Sequence, residues 1–253
     1  MRFILNNDLV ETETPPGTAV VDWLRDSAGL KGTKHACREG DCGSCLVLVG
    51  SAGERGVVYR ALTSCLLPLG EVEGRHLVTI EGLNAPELIP TQRVIVDHGA
   101  SQCGFCTPGI VVALTGYLLN AERFDLPGAL NALGGNLCRC TGYASLRRAA
   151  AELIEAVDPG ADRITGLIDQ GVLPRWFADM PQRLDAISSV TQTGVSDPSL
   201  PLVAGGSDLY VQQPEAFASS SPRLLRRSLP SRIWGDNGSI YLSATITAED
   251  LKS

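Results

Sequence analysis

The sequence predicts an α+β chain built as a succession of units. A β-rich unit with one helix covers residues 1–84, a helical unit covers 85–158, a linker covers 159–198, and the opening of an α/β unit covers 199–253. Three observations predict this. Short apolar runs bounded by glycine fill the first third, and proline-started runs at helical period follow. All eight cysteines fall into two sets of four, one set in each of the first two units.

Arg2–Asn6 and Leu9–Glu13 are short strands around the Asn6-Asn7-Asp8 turn. Thr18 is expected to cap a helix whose Val20, Val21, Leu24 and Ala28 share one face; Asp22 favours its first turns and Gly29 stops it. Leu46–Val49, Val57–Leu62 and Leu77–Ile80 read as strands. Helices follow at Ile89–Ala100, from Thr107-Pro108 through Leu119, at Pro127–Leu133 and at Ala144–Val157. The linker is rich in Pro, Gly, Asp and Ser, with short helical runs such as Leu184–Val190. LPLVAGGSDLYV then opens the last unit as a strand running into a glycine turn.

The composition is that of an ordinary globular chain, with 44% apolar and 19% charged residues. Net charge is −7 and there is no basic stripe, which argues against a nucleic-acid partner. No apolar run approaches the ~18 residues of a membrane span, and MRFILNNDLV lacks the apolar core of a signal peptide. A cytoplasmic location is therefore expected. In a reducing compartment, eight cysteines are metal ligands before they are disulfides.

Cys37, Cys42, Cys45 and Cys65 read C-x4-C-x2-C with a lone fourth member, the ligand spacing of plant-type ferredoxins. Gly40 and Gly43 between them let backbone N–H groups approach cluster sulfides. Zinc sites prefer pairs of closely spaced cysteines, so a [2Fe–2S] cluster is the expectation here. Cys103, Cys106, Cys138 and Cys140 read C-x2-C and C-x-C, each pair before a predicted helix. Two helix N-termini facing one centre suit a four-helix arrangement. On spacing alone, zinc and iron–sulfur both stay open for this set.

The residues around the cysteines say more. KHACREGDCGSC, SQCGFCTPG and GNLCRCTGY closely resemble the iron–sulfur portion of the molybdenum hydroxylases, the xanthine dehydrogenase/aldehyde oxidase family, over about residues 1–150 with all eight cysteines matching. The resemblance implies a plant-type ferredoxin (β-grasp) domain followed by a four-helix [2Fe–2S] domain. It implies that the helical-domain cluster lies near a molybdopterin and the ferredoxin-like cluster nearer a flavin. Gln102 matches a glutamine that contacts the pterin in relatives.

Val203, Ala204, Gly205, Gly206, Ser207, Asp208 and Leu209 resemble the family's first FAD-binding loop. The family's second flavin loop and C-terminal subdomain are missing. The flavin unit is thus expected on a second polypeptide, or the chain is cut short, or FAD is not held.

The implied function is electron transfer, in a hetero-oligomer, from a molybdopterin-molybdenum large subunit through two [2Fe–2S] clusters to FAD and NAD+. The partner's substrate is expected to be a purine or similar heterocycle, most nearly as in xanthine dehydrogenase, with aldehydes, nicotinate and other heterocycles open. A free-standing two-cluster carrier, the iron–sulfur subunit of an aldehyde or other N-heterocycle oxidoreductase, and a zinc-stabilised interaction module are the rivals. No catalytic motif appears in the chain, and its three histidines are scattered. Arg38 and Arg139 flank cluster cysteines and can raise the local potential.

Overall fold

The computed structural model describes residues 1–53, 56–160, 162–188, 199–225, 233–247 and 251. The end of the predicted linker (189–198, with Val190 of its helical run) and parts of the last unit lie outside the described residues.

Five strands form one mixed sheet in the order β2-β1-β5-β3-β4. They are β1 (Arg2–Leu5), β2 (Asp8–Glu11), β3 (Leu46–Gly53), β4 (Gly56–Thr63) and β5 (His76–Val78). β1 and β5 run parallel, Ile4 opposite His76, and the remaining pairs are antiparallel. One helix crosses the sheet. It starts as α1 (Val20–Asp22) and widens over Trp23–Ser27, where Ala28 N–H reaches back five residues to Trp23 O at 3.0 Å. Gly29 ends it at φ +72, as expected. Thr18 is not its cap. Ala19 holds that position, and the Thr18 hydroxyl donates to Ala218 O at 3.1 Å instead.

The apolar run in β3 is explained by burial on both faces. Val47 and Val49 pack with Phe3, Val20, Leu24 and Leu77 under the helix. Leu48 points the other way, into a core shared with the helical unit. That unit holds α2 (Pro90–Asp97), α3 (Thr107–Asn120), α4 (Leu126–Ala132) and α5 (Ala144–Ala156). α3 lies on β3 and β4 and is buried nearly all round, which explains why its sequence is apolar without a polar face. Its cap is Cys106 rather than Thr107, whose hydroxyl pairs with Ser101 Oγ at 2.8 Å.

The segment expected as a linker carries more structure than its composition suggests. α6 (Arg163–Asp169) and α7 (Met180–Ser188) form a strap across both units. Leu167, Val172, Leu173 and Phe177 join the helical core, while Met180, Leu184 and Ile187 pack on Ile4 of the sheet. Arg183 donates to Asn7 O and Asn7 Oδ1 at 2.9 and 2.8 Å. Scattered apolar residues with no clear period found partners on two different surfaces, which local sequence does not reveal.

The last unit comprises β6 (Leu202–Val203), α8 (Ser207–Gln212), α9 (Pro214–Ala218), β7 (Arg223–Leu224) and a hairpin of β8 (Ile233–Asp236) and β9 (Ser239–Leu242). β6 and β7 run parallel. Among the described residues no helix is long and apolar enough to cross a membrane.

Candidate metal centres

The first cysteine set hangs on the irregular segment between the crossing helix and β3. Three consecutive bends there use left-handed backbone, at Arg38 (φ +60), Gly40 (φ +83) and Gly43 (φ +65). Cys37 Sγ and Cys42 Sγ lie 3.3 Å apart. Cys45 and Cys65, both buried, are likewise 3.3 Å apart, because Ser64 N–H and Ser64 Oγ both bond Cys45 O and tie the end of β4 to the loop. Glu39 N–H points at Cys37 Sγ (3.4 Å), and Ser44 Oγ lies 3.2 Å from Cys42 Sγ. Burial works against ionisation of Cys42, but the hydrogen bonds from Ser44 and Cys37 outweigh it and bring the thiol down to about 7. The hydrogen bond from Cys65 brings Cys45 down to about 6, against burial, while Cys65 is pushed up.

The second set sits where two helices begin. Cys106 caps α3, and Gly104 turns the chain before it at φ +81. Cys138 and Cys140 precede α5, whose first turn is entered through Gly142 and Tyr143, both at positive φ. Tyr143 OH folds back to accept the Cys138 N–H at 3.0 Å. Cys103 and Cys140 Sγ are 3.7 Å apart. Cys106 and Cys138 are the two buried members of the set; burial, then the neighbouring Cys138, pushes Cys106 up to about 12. Cys138 is shifted down despite burial, by the Thr141 hydroxyl 3.2 Å from its sulfur.

Both sets are therefore two pairs of thiols, and among the described residues no three His, Cys, Asp or Glu side chains group to hold a single ion. A tetrahedral zinc site needs four donors around one point. A two-iron cluster takes all four thiolates of a set, which two pairs supply. The donor set, the buried pairs and the glycine-opened loop fit that group.

The two sets are also in contact. Leu137 N–H, next to Cys138, donates to the carbonyl of Cys42 at 3.0 Å. Gln102 Nε2 donates to Cys140 O at 3.0 Å, so this exposed amide bridges the two loops of the second set. Around it, Cys103, Cys140, Phe105, Leu137 and Tyr143 are all exposed. Arg139 is exposed there as well. Arg38 makes a bidentate pair with Asp22, 3.1 and 2.5 Å, beside the first set.

Sequence reasoning missed what covers the first set. Val203, Tyr210, Phe217 and Leu224 form one buried cluster with Ala19, Val21, Cys45 and Cys65. Tyr210 OH donates to Gly17 O at 2.6 Å, and Gly17 N–H to Ser220 O at 3.0 Å. A small cavity of about 160 Å³ remains at this seam, reached by Cys37, Arg38, Cys65 and Tyr210. The glycine turn is outside it. Ala204, Gly205, Ser207 and Asp208 are exposed, Val203 is buried, and Leu209 is half-buried. Gly206 sits at φ +72 against the Phe217 ring, and the Asp208 carboxylate accepts from Gln212 in its own helix. Visible signals of the seam are Gly17, where a Cβ would fall 2.1 Å from Phe217 O, and Gly70, where one would fall 2.7 Å from Leu224.

Two family models match the chain: a 2Fe-2S iron-sulfur cluster binding domain over residues 3–69 and a [2Fe-2S] binding domain over 79–151. Xanthine dehydrogenase of Blastobotrys adeninivorans is 45% identical over 157 residues, 56% of this chain and 10% of that protein. The chain spans about a tenth of the length of the curated relatives it matches. Among solved structures, quinoline 2-oxidoreductase of Pseudomonas putida 86 is 33% identical with a TM-score of 0.52, covering 62% of this chain and 94% of that one. The aldehyde oxidoreductase of Desulfovibrio desulfuricans is 30% identical with a TM-score of 0.54, covering 60% of this chain and 16% of that one.

Proposed function

This chain belongs to the xanthine dehydrogenase/aldehyde oxidase family of molybdenum hydroxylases, in its iron–sulfur portion, and we propose that it is the electron-transfer subunit of such an enzyme. Cys37, Cys42, Cys45 and Cys65 would hold one [2Fe–2S] cluster. Cys103, Cys106, Cys138 and Cys140 would hold the other. When bound, each cluster supplies a one-electron carrier.

The chain's own residues fix position and environment. Ser64 holds Cys45 and Cys65 together, Tyr143 holds Cys138, and Gln102 ties the two second-set loops. Arg38, neutralised by Asp22, sets the field at the first cluster. The observation that carries the reading is the Leu137 N–H bond to Cys42 O. That bond brings the loops of the two sets side by side, and a short separation is what one-electron carriers in series require.

On this reading the exposed face around Gln102, Cys103 and Cys140 is the side of a molybdopterin-binding large subunit in a hetero-oligomer. The acceptor side, FAD and then NAD+, belongs to the first cluster, with the open Val203–Leu209 turn as a flavin-contacting segment. Substrate oxidation belongs to the partner. The similarity to a xanthine dehydrogenase favours a purine substrate, and a cytoplasmic enzyme fits the reduced cysteines.

Capture of the full chain from its native host, followed by iron, molybdenum, pterin and flavin analysis, tests this. The reading expects a molybdopterin-bearing subunit in equal amount and about four irons per copy of this chain. A four-iron chain that arrives alone favours the free-standing carrier, and zinc in place of iron contradicts both.

A further inference from the structure

The contact between the two cysteine loops is closer than ordinary packing. Gly43 follows Cys42, and a Cβ there would lie 2.4 Å from Gly135 O and 2.6 Å from Asn136 Nδ2. From the other side, a Cβ on Gly109, in the first turn of α3, would lie 2.2 Å from Gly43 O. Backbone from the first loop, from the second loop and from α3 thus meets where no side chain fits.

Asn136 closes this contact. It is 3% exposed, and its Nδ2 donates to Gly43 O at 3.1 Å. Its Oδ1 is buried without a hydrogen-bond partner. An unsatisfied buried acceptor is destabilising, and the adjoining cavity, lined by Ile110, Leu133 and Leu146 beside Tyr143 and Arg147, leaves Oδ1 without a bonded partner. The amide is therefore poorly explained as filler. Its one bond is aimed across the seam, one residue along from the Leu137 N–H bond to Cys42 O.

We propose that Asn136 is a positioning residue that sets the separation of the two cysteine quartets, pinning the Gly43 carbonyl so that Cys42 and Cys138 stay at the two ends of one short backbone path. The inference rests on the reading that both quartets hold [2Fe–2S] clusters. It goes beyond that reading in assigning the spacing to a side chain that binds neither. Two adjacent bonds, one from backbone and one from side chain, resist sliding of one loop along the other in a way one bond does not.

The test uses the full, iron-loaded chain with both clusters reduced, read by low-temperature electron paramagnetic resonance. Wild type should show two signals and a magnetic splitting between them. Asn136→Ala should keep its iron and both signals but lose the splitting, and the Leu137 amide should exchange its hydrogen faster. Asn136→Ser, too short to reach Gly43, should behave alike and decides the matter if the alanine variant loses iron. Unchanged splitting and unchanged Leu137 exchange in a fully loaded variant, with a shift in melting temperature alone, would overturn the inference and make Asn136 ordinary structure. A wild-type chain with a single signal would overturn both the two-cluster reading and this inference.

Discussion

The two cysteine quartets meet the same chemical demand by opposite means. The first is held by a loop bent through Arg38, Gly40 and Gly43 and closed by a cysteine beyond a strand pair. Two of its thiols are buried, and a segment some 150 residues later lies over them. The second is held at the starts of two helices, with Cys103 and Cys140 exposed among Phe105, Leu137 and Tyr143. The difference teaches that environment is assigned separately from ligand supply. Each centre buries two thiols, but the other two are half-buried in the first, which its own chain partly covers, and exposed in the second.

Four predictions probe this contrast, the largest effect first. Cys65→Ser should erase the first iron signal and about half the iron while sparing the second signal. Cys138→Ser should do the reverse, and loss of both signals in either variant would mean the quartets are not independent sites. Iron assay with paramagnetic resonance on each purified variant reads the outcome.

Phe217→Ala should detach the cover over the first quartet. Phe217 is buried, and its ring stands edge-on to Tyr210 at 4.8 Å. The substitution should destabilise the 202–225 segment by about 3 kcal/mol. A chelator should then strip the first cluster faster, with the second unaffected. Equal acceleration at both would show that the segment seals neither in particular.

Acid should act on the first unit through His76. This ring is fully buried between Tyr59 OH (2.8 Å) and Asn6 O (2.8 Å), edge-on to Trp176 and Phe177 of the strap. Burial lowers its pKa to about 4. The unfolded chain binds the proton first, at about 6.5, so the contribution is complete above that pH. It declines as pH falls toward 4, by about 3 kcal/mol in all. Denaturant unfolding at pH 7 and pH 4.5 should show this loss in wild type and a flatter profile in His76→Phe. Equal slopes in the two would remove His76 from the account.

The smallest effect is electrostatic. Asp22→Asn leaves Arg38 unpaired beside the first quartet, and the first cluster's potential should rise by on the order of 40 mV, with the second unmoved. A redox titration that finds both shifted, or neither, argues against local tuning by this pair.

Much of this was legible in the sequence because it depends on local chemistry. Proline starts placed α3 and α4 to within a residue, the alanine- and leucine-rich run placed α5 as closely, and LVLV reads as a strand. Gly40 and Gly43 between cysteines announce a loop needing unusual backbone. The reach of Thr18 to Ala218, the strap over Ile4 and the cover from Tyr210 and Phe217 were not legible. Each joins segments far apart in sequence, and neither partner carries a sign of the other. The thiol pairing was likewise hidden, since spacing shows which cysteines belong together and not which two sulfurs approach. Gly17, Gly43 and Gly109 were partial clues, because each marks a place where another backbone comes too close for a side chain.

The central claim is that this chain carries two [2Fe–2S] centres built differently but joined. Stepwise reduction of the full chain, followed by paramagnetic resonance with an iron count, tests it most directly. The account predicts about four irons per chain and two distinguishable signals, one for each quartet. A colourless protein holding zinc, or one signal from about two irons, would contradict it.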